Sequence, residues 1–163
     1  MIIPVTTDEQ IEITAALAKK IWNQHYVAII GQDQVDYMVD KFQSTNAFTK
    51  QIDEGYLYFL IQHEEDFCGY LALVVDEAAE KLMISKIYVD ADFRGLGLGK
   101  QLMDFAIERG REKHLKTLWL TVNKYNTNSI EWYKYLGFNV KEAIQIDIGN
   151  GFIMDDYLME KPI

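Results

Sequence analysis

A glycine-rich segment a few residues after an apolar stretch constrains this chain more than any other feature of its sequence. It reads Arg94-Gly95-Leu96-Gly97-Leu98-Gly99-Lys100, follows Ile87-Tyr88-Val89 and opens a stretch of helical spacing. The first turn of a helix has N–H groups without intrahelical partners, and the helix dipole adds positive charge there. The glycines carry no Cβ that would keep an anion away, while the flanking arginine and lysine add charge. The sequence therefore predicts a strand–turn–helix unit that binds a phosphate or diphosphate.

Two common phosphate motifs do not match this segment. A P-loop needs Gly, four residues and Gly-Lys-Ser/Thr, but Arg94 stands where the first glycine is required and Gln101 follows the lysine. A dinucleotide fingerprint needs Gly-x-Gly-x-x-Gly, and the third glycine here comes one position too early. A tight turn without a ligand is the alternative interpretation of the loop taken alone.

The apolar periodicity predicts a strand, two or three helices, three strands, a helix, a strand, a helix and a hairpin. Thr7, followed by Glu9 and Gln10, is typical of a helix start. Strands joined by short turns are antiparallel, whereas the strand–helix–strand unit over 81–122 favours a parallel pair. The predicted elements are strands at 2–5, 56–62, 67–75, 81–89 and 117–122, helices after 7 and at 35–42, 47–52, 98 onward and 126–136, and a hairpin of 138–148 with 152–159 around Asn150-Gly151.

Composition limits the class of protein. The chain has 163 residues, which suits one domain, and a net charge of −9, which argues against binding nucleic acid by neutralising phosphates. Cys68 is the only cysteine, so an intrachain disulfide and a multi-cysteine zinc site are excluded. The three histidines show no metal-ligand spacing, and we expect no metal. No apolar run is long enough to span a membrane and no signal peptide precedes the first helix, so we expect a cytoplasmic protein without membrane partners.

Two motifs in order resemble those of the GNAT family, the Gcn5-related N-acetyltransferases. Arg94-x-x-Gly97-x-Gly99 after an apolar strand is similar to the family's acetyl-coenzyme A signature. The segment 126–138 resembles its second motif, which has the form Asn-x-x-Ala/Ser, three residues, Tyr, three residues and Gly-Phe. The resemblance covers residues 56–163 well, and the C-terminal run is similar to bacterial polyamine acetyltransferases.

The resemblance implies one acetyltransferase domain over residues 1–163 with a mixed α/β fold. Its sheet would have about seven strands, mostly antiparallel, with a central splayed parallel pair and flanking helices. The implied reaction is transfer of the acetyl group of acetyl-CoA, as cosubstrate, to a primary amine of a polyamine-like small molecule or a peptide. A homodimer is also compatible with the exposed strand edges of such a sheet. The alternative function is a non-catalytic acetyl-CoA sensor or structural module of the same fold.

The resemblance also implies roles for individual residues. The backbone of Ile87, Tyr88 and Val89 would hold the pantetheine arm and the thioester carbonyl, and the segment from Arg94 to Lys100 would cradle the diphosphate. The remaining positions lie in the second motif: Asn126 and Ser129 would contact the cofactor arm, and Tyr133 would stand near the sulfur as general acid.

The chemistry of amine acetylation explains these residue types. A tyrosine stays protonated up to about pH 10 and can protonate a thiolate whose conjugate acid has a pKa of about 8.5. An alkyl ammonium has a pKa of about 10.4 and needs a base, but the strand before the loop reads Leu82-Met83-Ile84-Ser85-Lys86, without the glutamate of many relatives. Water relayed through Ser85 is our expectation. The alternatives are Asp76, Glu77 and His63 as base, and a purely packing role for Tyr133.

An oxyanion would need a stabilising donor, and we expect the N–H group of Val89 to serve. Such a donor must be free of the strand ladder, so the sequence predicts a bulge near residues 88–90.

Overall fold

A computed structural model describes residues 1–163 and contains seven strands and six α-helices. None of the helices is both long and apolar enough to cross a membrane. A 3-10 turn over Ala91–Phe93 and the short helix α2 are the only helical elements that the sequence pattern did not predict. In chain order the elements are β1 (Ile2–Pro4), α1 (Asp8–His25), α2 (Val27–Ile30), α3 (Gln32–Phe42), α4 (Thr45–Asp53), β2 (Leu57–His63), β3 (Asp66–Asp76), β4 (Lys81–Val89), α5 (Leu98–Glu112), β5 (Thr117–Asn123), α6 (Thr127–Tyr135), β6 (Asn139–Gly149) and β7 (Phe152–Pro162).

The strands form one sheet in the order β1-β2-β3-β4-β5-β7-β6. Strand β2 pairs antiparallel with β1 and β3, and β7 pairs antiparallel with β5 and β6. The pairing of β4 with β5 is parallel and joins Lys81–Met83 to Thr117–Trp119. The predicted mixed sheet with one parallel pair is therefore confirmed, while the splay of that pair stays a prediction.

The chain divides into two compact units, and unit 1 comprises Met1–Val74 with Ser85–Ala106. Its helix α1 begins with a capping box, since Thr7 Oγ1 accepts from the N–H of Gln10 and the Gln10 side chain accepts from the N–H of Thr7. The sequence predicted this start. The core of unit 1 packs α1 and α4 against β2 and β3, through residues that include Ala18, Ile21, Phe48, Leu60, Tyr70 and Ala72.

Unit 2 comprises Val75–Ile84 and Ile107–Ile163 and therefore holds β5, α6 and the final hairpin. Asn150 and Gly151, at the turn of that hairpin, have φ angles of 54° and 79°. Two successive positive φ angles are the signature of a type I′ turn, as the Asn-Gly pair predicted. Side chains on β5 alternate between buried and half-buried, so one face of this strand packs inward and the other is more open. That the whole chain acts as one acetyltransferase domain stays a prediction.

Candidate functional site

The glycine-rich loop in unit 1 has the backbone conformation that only glycine adopts without strain. Gly95 and Gly97 have φ angles of +81° and +73°, and nothing lies within 4 Å of the point where a Cβ would stand on either residue. Positive φ requires glycine at both positions, and the open space beside them leaves the backbone accessible. Arg94 and Leu96 in the same loop are exposed.

Helix α5 begins directly after this loop. Its first intrahelical bond runs from the N–H of Gln101 to the carbonyl oxygen of Gly97 at 3.1 Å. The N–H groups of Leu98, Gly99 and Lys100 therefore precede the hydrogen-bond ladder at the positive end of the helix dipole. The exposed Lys100 ammonium lies 2.6 and 2.8 Å from the two carboxylate oxygens of Asp104. An anion at this helix end meets free N–H groups and a lysine that is neutralised only by an exposed carboxylate.

A network around Asp90 ties the loop to helix α1 within unit 1. Asp90 is 2% exposed, and its N–H donates to the carbonyl oxygen of Cys68 at 2.7 Å. The Lys20 ammonium lies 2.7 Å from Asp90 and 2.9 Å from Asp92, while Gln24 donates to Asp90 at 3.1 Å. Burial alone would raise the pKa of Asp90, but the hydrogen bonds from Lys20, the Asp92 N–H and Gln24 outweigh it and lower the pKa. The residues that lead into the loop are thus held to α1 by hydrogen bonds to a charged carboxylate.

The end of strand β4, where the cofactor arm is expected, approaches β3 closely. A Cβ on Gly69 would overlap the carbonyl oxygen of Tyr88 and lie 3.3 Å from Cα of Val89. The Tyr88 ring packs among aromatic rings, with centroids 5.7 Å from Trp22 and 5.3 Å from Tyr70. Because the Tyr88 side chain belongs to this cluster, only its backbone is available for the role expected of it. Ile87 and Val89 are half-buried, as is Ser85 earlier in the strand.

Lys86, on the same strand, is a titratable residue that the sequence reasoning passed over. It is 5% exposed, and its Nζ lies 2.7 Å from Gln51 Oε1 and 2.6 Å from the Tyr58 hydroxyl. Its ammonium also stands 5.2 to 5.6 Å from the ring centroids of Phe48, Tyr56 and Tyr58. Burial lowers its pKa to about 7. Its place in the alternation Leu82, Ile84, Lys86 was the available signal of burial.

The second group of predicted residues lies on α6 in unit 2. Asn126 precedes the helix and is 3% exposed, and Ser129 in the first turn is half-buried. Tyr133 is 8% exposed, and its ring lies 5.7 Å from the ring of Phe138. Tyr135, two residues later, is 86% exposed. The predicted site residues therefore form two groups: one in unit 1 on β4 and the loop, and one in unit 2 on α6.

Asp156 on β7 is a second residue that sequence reasoning missed. It is 4% exposed, and burial, followed by the charge of Asp155, raises its pKa to about 6. A hydrogen bond from Thr121 and the charge of Lys124 act in the opposite direction. Asp156 falls in the strand predicted over 152–159, but the sequence does not show whether its side chain reaches water. No group of three or more His, Cys, Asp or Glu is arranged to hold a metal ion.

Comparison with known proteins gives one family. The model of the acetyltransferase (GNAT) family matches residues 17–138. An uncharacterized N-acetyltransferase from the pepI 3′ region of Lactobacillus delbrueckii subsp. lactis is 37% identical over 89 residues, which is 51% of each chain. The [ribosomal protein bS18]-alanine N-acetyltransferase of Escherichia coli K12 is 32% identical over 98 residues, which cover 59% of this chain and 64% of that protein. The match thus spans between half and two thirds of these two curated relatives.

A solved structure extends the likeness to the whole chain. The PaiA N-acetyltransferase of Thermoplasma acidophilum, in complex with coenzyme A, superposes with a TM-score of 0.81. The match covers 100% of this chain and 99% of that one at 19% sequence identity. At that identity, the likeness concerns the fold.

Proposed function

This chain belongs to the GNAT acetyltransferase family, and from that premise we propose that it transfers the acetyl group of acetyl-CoA to a primary amine. The observation that carries the proposal is the start of α5. There, two glycines with positive φ and three N–H groups outside the helix ladder leave backbone donors open in the loop that follows strand β4 and a short 3-10 turn. A diphosphate fits such a site because backbone donors and the helix dipole favour negative charge.

The residues around this site have complementary roles in the proposal. The segment from Arg94 to Lys100 binds the diphosphate, and Lys100 exchanges Asp104 for a phosphate oxygen. The backbone of Ile87, Tyr88 and Val89 holds the pantetheine arm as an added strand would, and the N–H of Val89 stabilises the developing oxyanion. Gly69 supports this role, since its missing side chain lets β3 pack closely against Tyr88 and Val89.

Helix α6 supplies the remaining groups. Asn126 and Ser129 contact the cofactor arm, and Tyr133 protonates the departing thiolate. A phenol suits this task because its pKa of about 10 keeps it protonated at neutral pH while a thiolate with a conjugate acid near 8.5 can still take its proton. The low exposure of Tyr133 favours a site from which bulk water is kept away.

The acceptor is a primary amine on a small molecule or a peptide. One relative is named a [ribosomal protein bS18]-alanine N-acetyltransferase, and this name favours an amine on a protein or peptide. The net charge of −9 favours a cationic, polyamine-like acceptor through long-range attraction. We further propose that the protein works in the cytoplasm, without metal, nucleic acid or membrane partners, and that a homodimer is compatible with its strand edges.

A thiol-release assay tests the proposal. Purified protein with acetyl-CoA is presented with polyamines, amino acids, aminoglycosides and peptides with a free N-terminus, and coenzyme A is detected by its thiol. We expect release with at least one class and an N-acetylated product of matching mass. Binding of acetyl-CoA without release for any amine would support the sensor function, and no thermal stabilisation by coenzyme A would contradict both.

A further inference from the structure

Asp156 is a carboxyl group inside the sheet of unit 2. Its Cα partner is Asn123 on β5 and Ile144 on β6, so it lies on the central strand of three. It is 4% exposed, and the Thr121 side chain is hydrogen-bonded to it. A buried carboxylate is stable only when hydrogen bonds or a cation compensate for the lost water. Here one hydroxyl supplies a direct contact.

The lysines near Asp156 form their ion pairs with other carboxylates. Lys124, which follows β5, lies 2.8 Å from Asp155 Oδ1 and is engaged by that neighbouring carboxylate. Glu160, farther along β7, is approached by Lys81 at 4.0 Å and Lys141 at 3.6 Å. The partner on β6, Ile144, carries no charge. Burial and Asp155 therefore raise the pKa of Asp156 to about 6, which Thr121 and Lys124 only partly oppose.

Thr121 connects this carboxyl to the more open face of β5. Along the strand, Leu118, Leu120 and Val122 are buried, while the residues between them are half-buried. Thr121 and Asn123 share that half-buried face because alternate residues of a strand point the same way. Asp156 stands opposite Asn123 and reaches the Thr121 hydroxyl diagonally. A proton that arrives at Thr121 from the open face thus has a direct route to the buried carboxylate.

We propose that Asp156 accepts the proton of the substrate amine and that the Thr121 hydroxyl relays it. The inference rests on the proposed function. The ammonium gives a proton to Thr121 Oγ1 while the hydroxyl proton passes to the Asp156 carboxylate, so Thr121 ends as it began and Asp156 becomes a neutral acid. The freed amine then forms the N–C bond as the C–S bond breaks, and the departing thiolate takes its proton from Tyr133. The new amide nitrogen gives up its second proton, which restores the Tyr133 phenol, and Asp156 later releases its own proton to water.

The position and chemistry of the pair suit this task. A general base works best when its pKa lies near the working pH, because it is then ionised and still basic. The same β5–α6 segment carries Thr121 and, twelve positions later, Tyr133, so the relay and the proposed acid come from one continuous stretch of unit 2. Strand β4 lacks a carboxylate before the loop, so a carboxylate base must come from another part of the chain.

The experiment measures kcat/KM against pH for the wild-type protein, Asp156→Asn and Asp155→Asn. The acceptors are an alkyl amine that the wild type acetylates and a fluorinated analogue whose ammonium loses its proton below neutral pH. With the alkyl amine at about pH 7, we expect Asp156→Asn to lose a factor of 10² to 10⁴ and the ascending limb near pH 6. With the fluorinated amine the loss should be much smaller, because that amine needs no base. Asp155→Asn should keep an ascending limb but move it to lower pH, because the charge of Asp155 helps to raise the pKa of Asp156.

Thr121 gives a second pair of variants. Thr121→Val removes the hydroxyl at nearly constant volume and should behave like Asp156→Asn, whereas Thr121→Ser should retain most activity. Urea unfolding adds a readout without substrate. Between about pH 4 and pH 6 the unfolding midpoint of the wild type should fall relative to that of Asp156→Asn, because the unfolded chain ionises this carboxyl at lower pH than the folded protein does.

The outcomes separate this inference from the proposed function. A wild-type protein that acetylates amines, with an unchanged pH profile in Asp156→Asn, overturns the proton route and leaves the proposed function intact. Equal losses with both amines, or loss of the ascending limb in Lys86→Met instead, also overturn it. If the wild type binds acetyl-CoA and acetylates no amine, the proposed function fails and the route fails with it.

Discussion

Lys86 Nζ lies 2.6 Å from the hydroxyl oxygen of Tyr58, and both groups are hydrogen-bonded to the side-chain oxygen of Gln51. Each of the three polar groups therefore contacts the other two inside unit 1. The ammonium has neutral partners and the faces of aromatic rings around it, and burial lowers its pKa to about 7. Burial also raises the pKa of Tyr58, which keeps the phenol a donor when the lysine loses its proton.

Replacing Lys86 should change how stability depends on pH. A lysine with a lowered pKa in the folded state adds stability that is complete above the unfolded pKa and is lost as pH falls to about 7. Relative to Lys86→Met, the unfolding free energy of the wild type should rise by about 1.4 kcal/mol per pH unit between about pH 7 and pH 10. Urea unfolding at several pH values measures this. Lys86→Arg, which cannot lose its proton, should be less stable than Lys86→Met at every pH. Equal slopes of unfolding free energy against pH for the wild type and Lys86→Met would contradict the lowered pKa.

Gly97→Ala should weaken coenzyme A binding more than it weakens the fold. An alanine at φ +73° strains the backbone at the start of α5, where the proposed diphosphate contacts lie. Gly151→Ala in the hairpin is a matched control, since its φ is +79° and nothing lies within 4 Å of its Cβ position either. Both variants should lose about 1 kcal/mol of stability, but only Gly97→Ala should raise the Kd of coenzyme A in calorimetry. An equal Kd in both variants would remove the loop from the binding site.

Tyr133→Phe should lower turnover by a factor of about 10 to 10⁴ while the Kd of acetyl-CoA stays nearly constant. The ring contact with Phe138 survives this change, so the fold should be preserved. Tyr135→Phe is the control, because Tyr135 is 86% exposed on the same helix. Initial rates of thiol release give kcat. Unchanged turnover in Tyr133→Phe would show that the ring serves packing alone.

Gly69→Ala and Gly110→Ala should differ sharply in stability although the added methyl group is equally crowded in both. At Gly69 the methyl meets the backbone carbonyl of Tyr88, which cannot move without separating two strands. At Gly110 it meets the terminal methyl of Ile163, a flexible side chain, and the helix gains about 1 kcal/mol from alanine. We expect a loss of about 2 kcal/mol or more for Gly69→Ala and little change for Gly110→Ala. Thermal unfolding compares them, and similar midpoints would contradict the close strand approach.

Much of the fold was predictable because its signals are local. The capping residues at Thr7, the glycines of the loop and the Asn150-Gly151 turn each act on backbone within a few residues, so their patterns are legible in the sequence. The parallel pair followed from the strand–helix–strand order and needed no knowledge of side-chain contacts.

The titration behaviour of Lys86 and Asp156 was not predictable in the same way. It arises from desolvation, which depends on residues such as Phe48 and Tyr58 that are remote in the sequence. The Lys20–Asp90 contact likewise joins residues 70 positions apart. A charged residue in a strand looks the same in the sequence whether its tip reaches water or not, so the candidate base could be sought only once the sheet was known.

The Lys20–Asp90 contact also determines how salt affects the turn before α5. The turn is held to α1 by an ion pair between a half-exposed lysine and a buried carboxylate, so dissolved salt weakens this contact only in part and leaves apolar packing in place. High salt therefore has two effects on anion binding. Its anions compete for the loop, and it also weakens the contact that holds the loop to α1, while the apolar core stays folded.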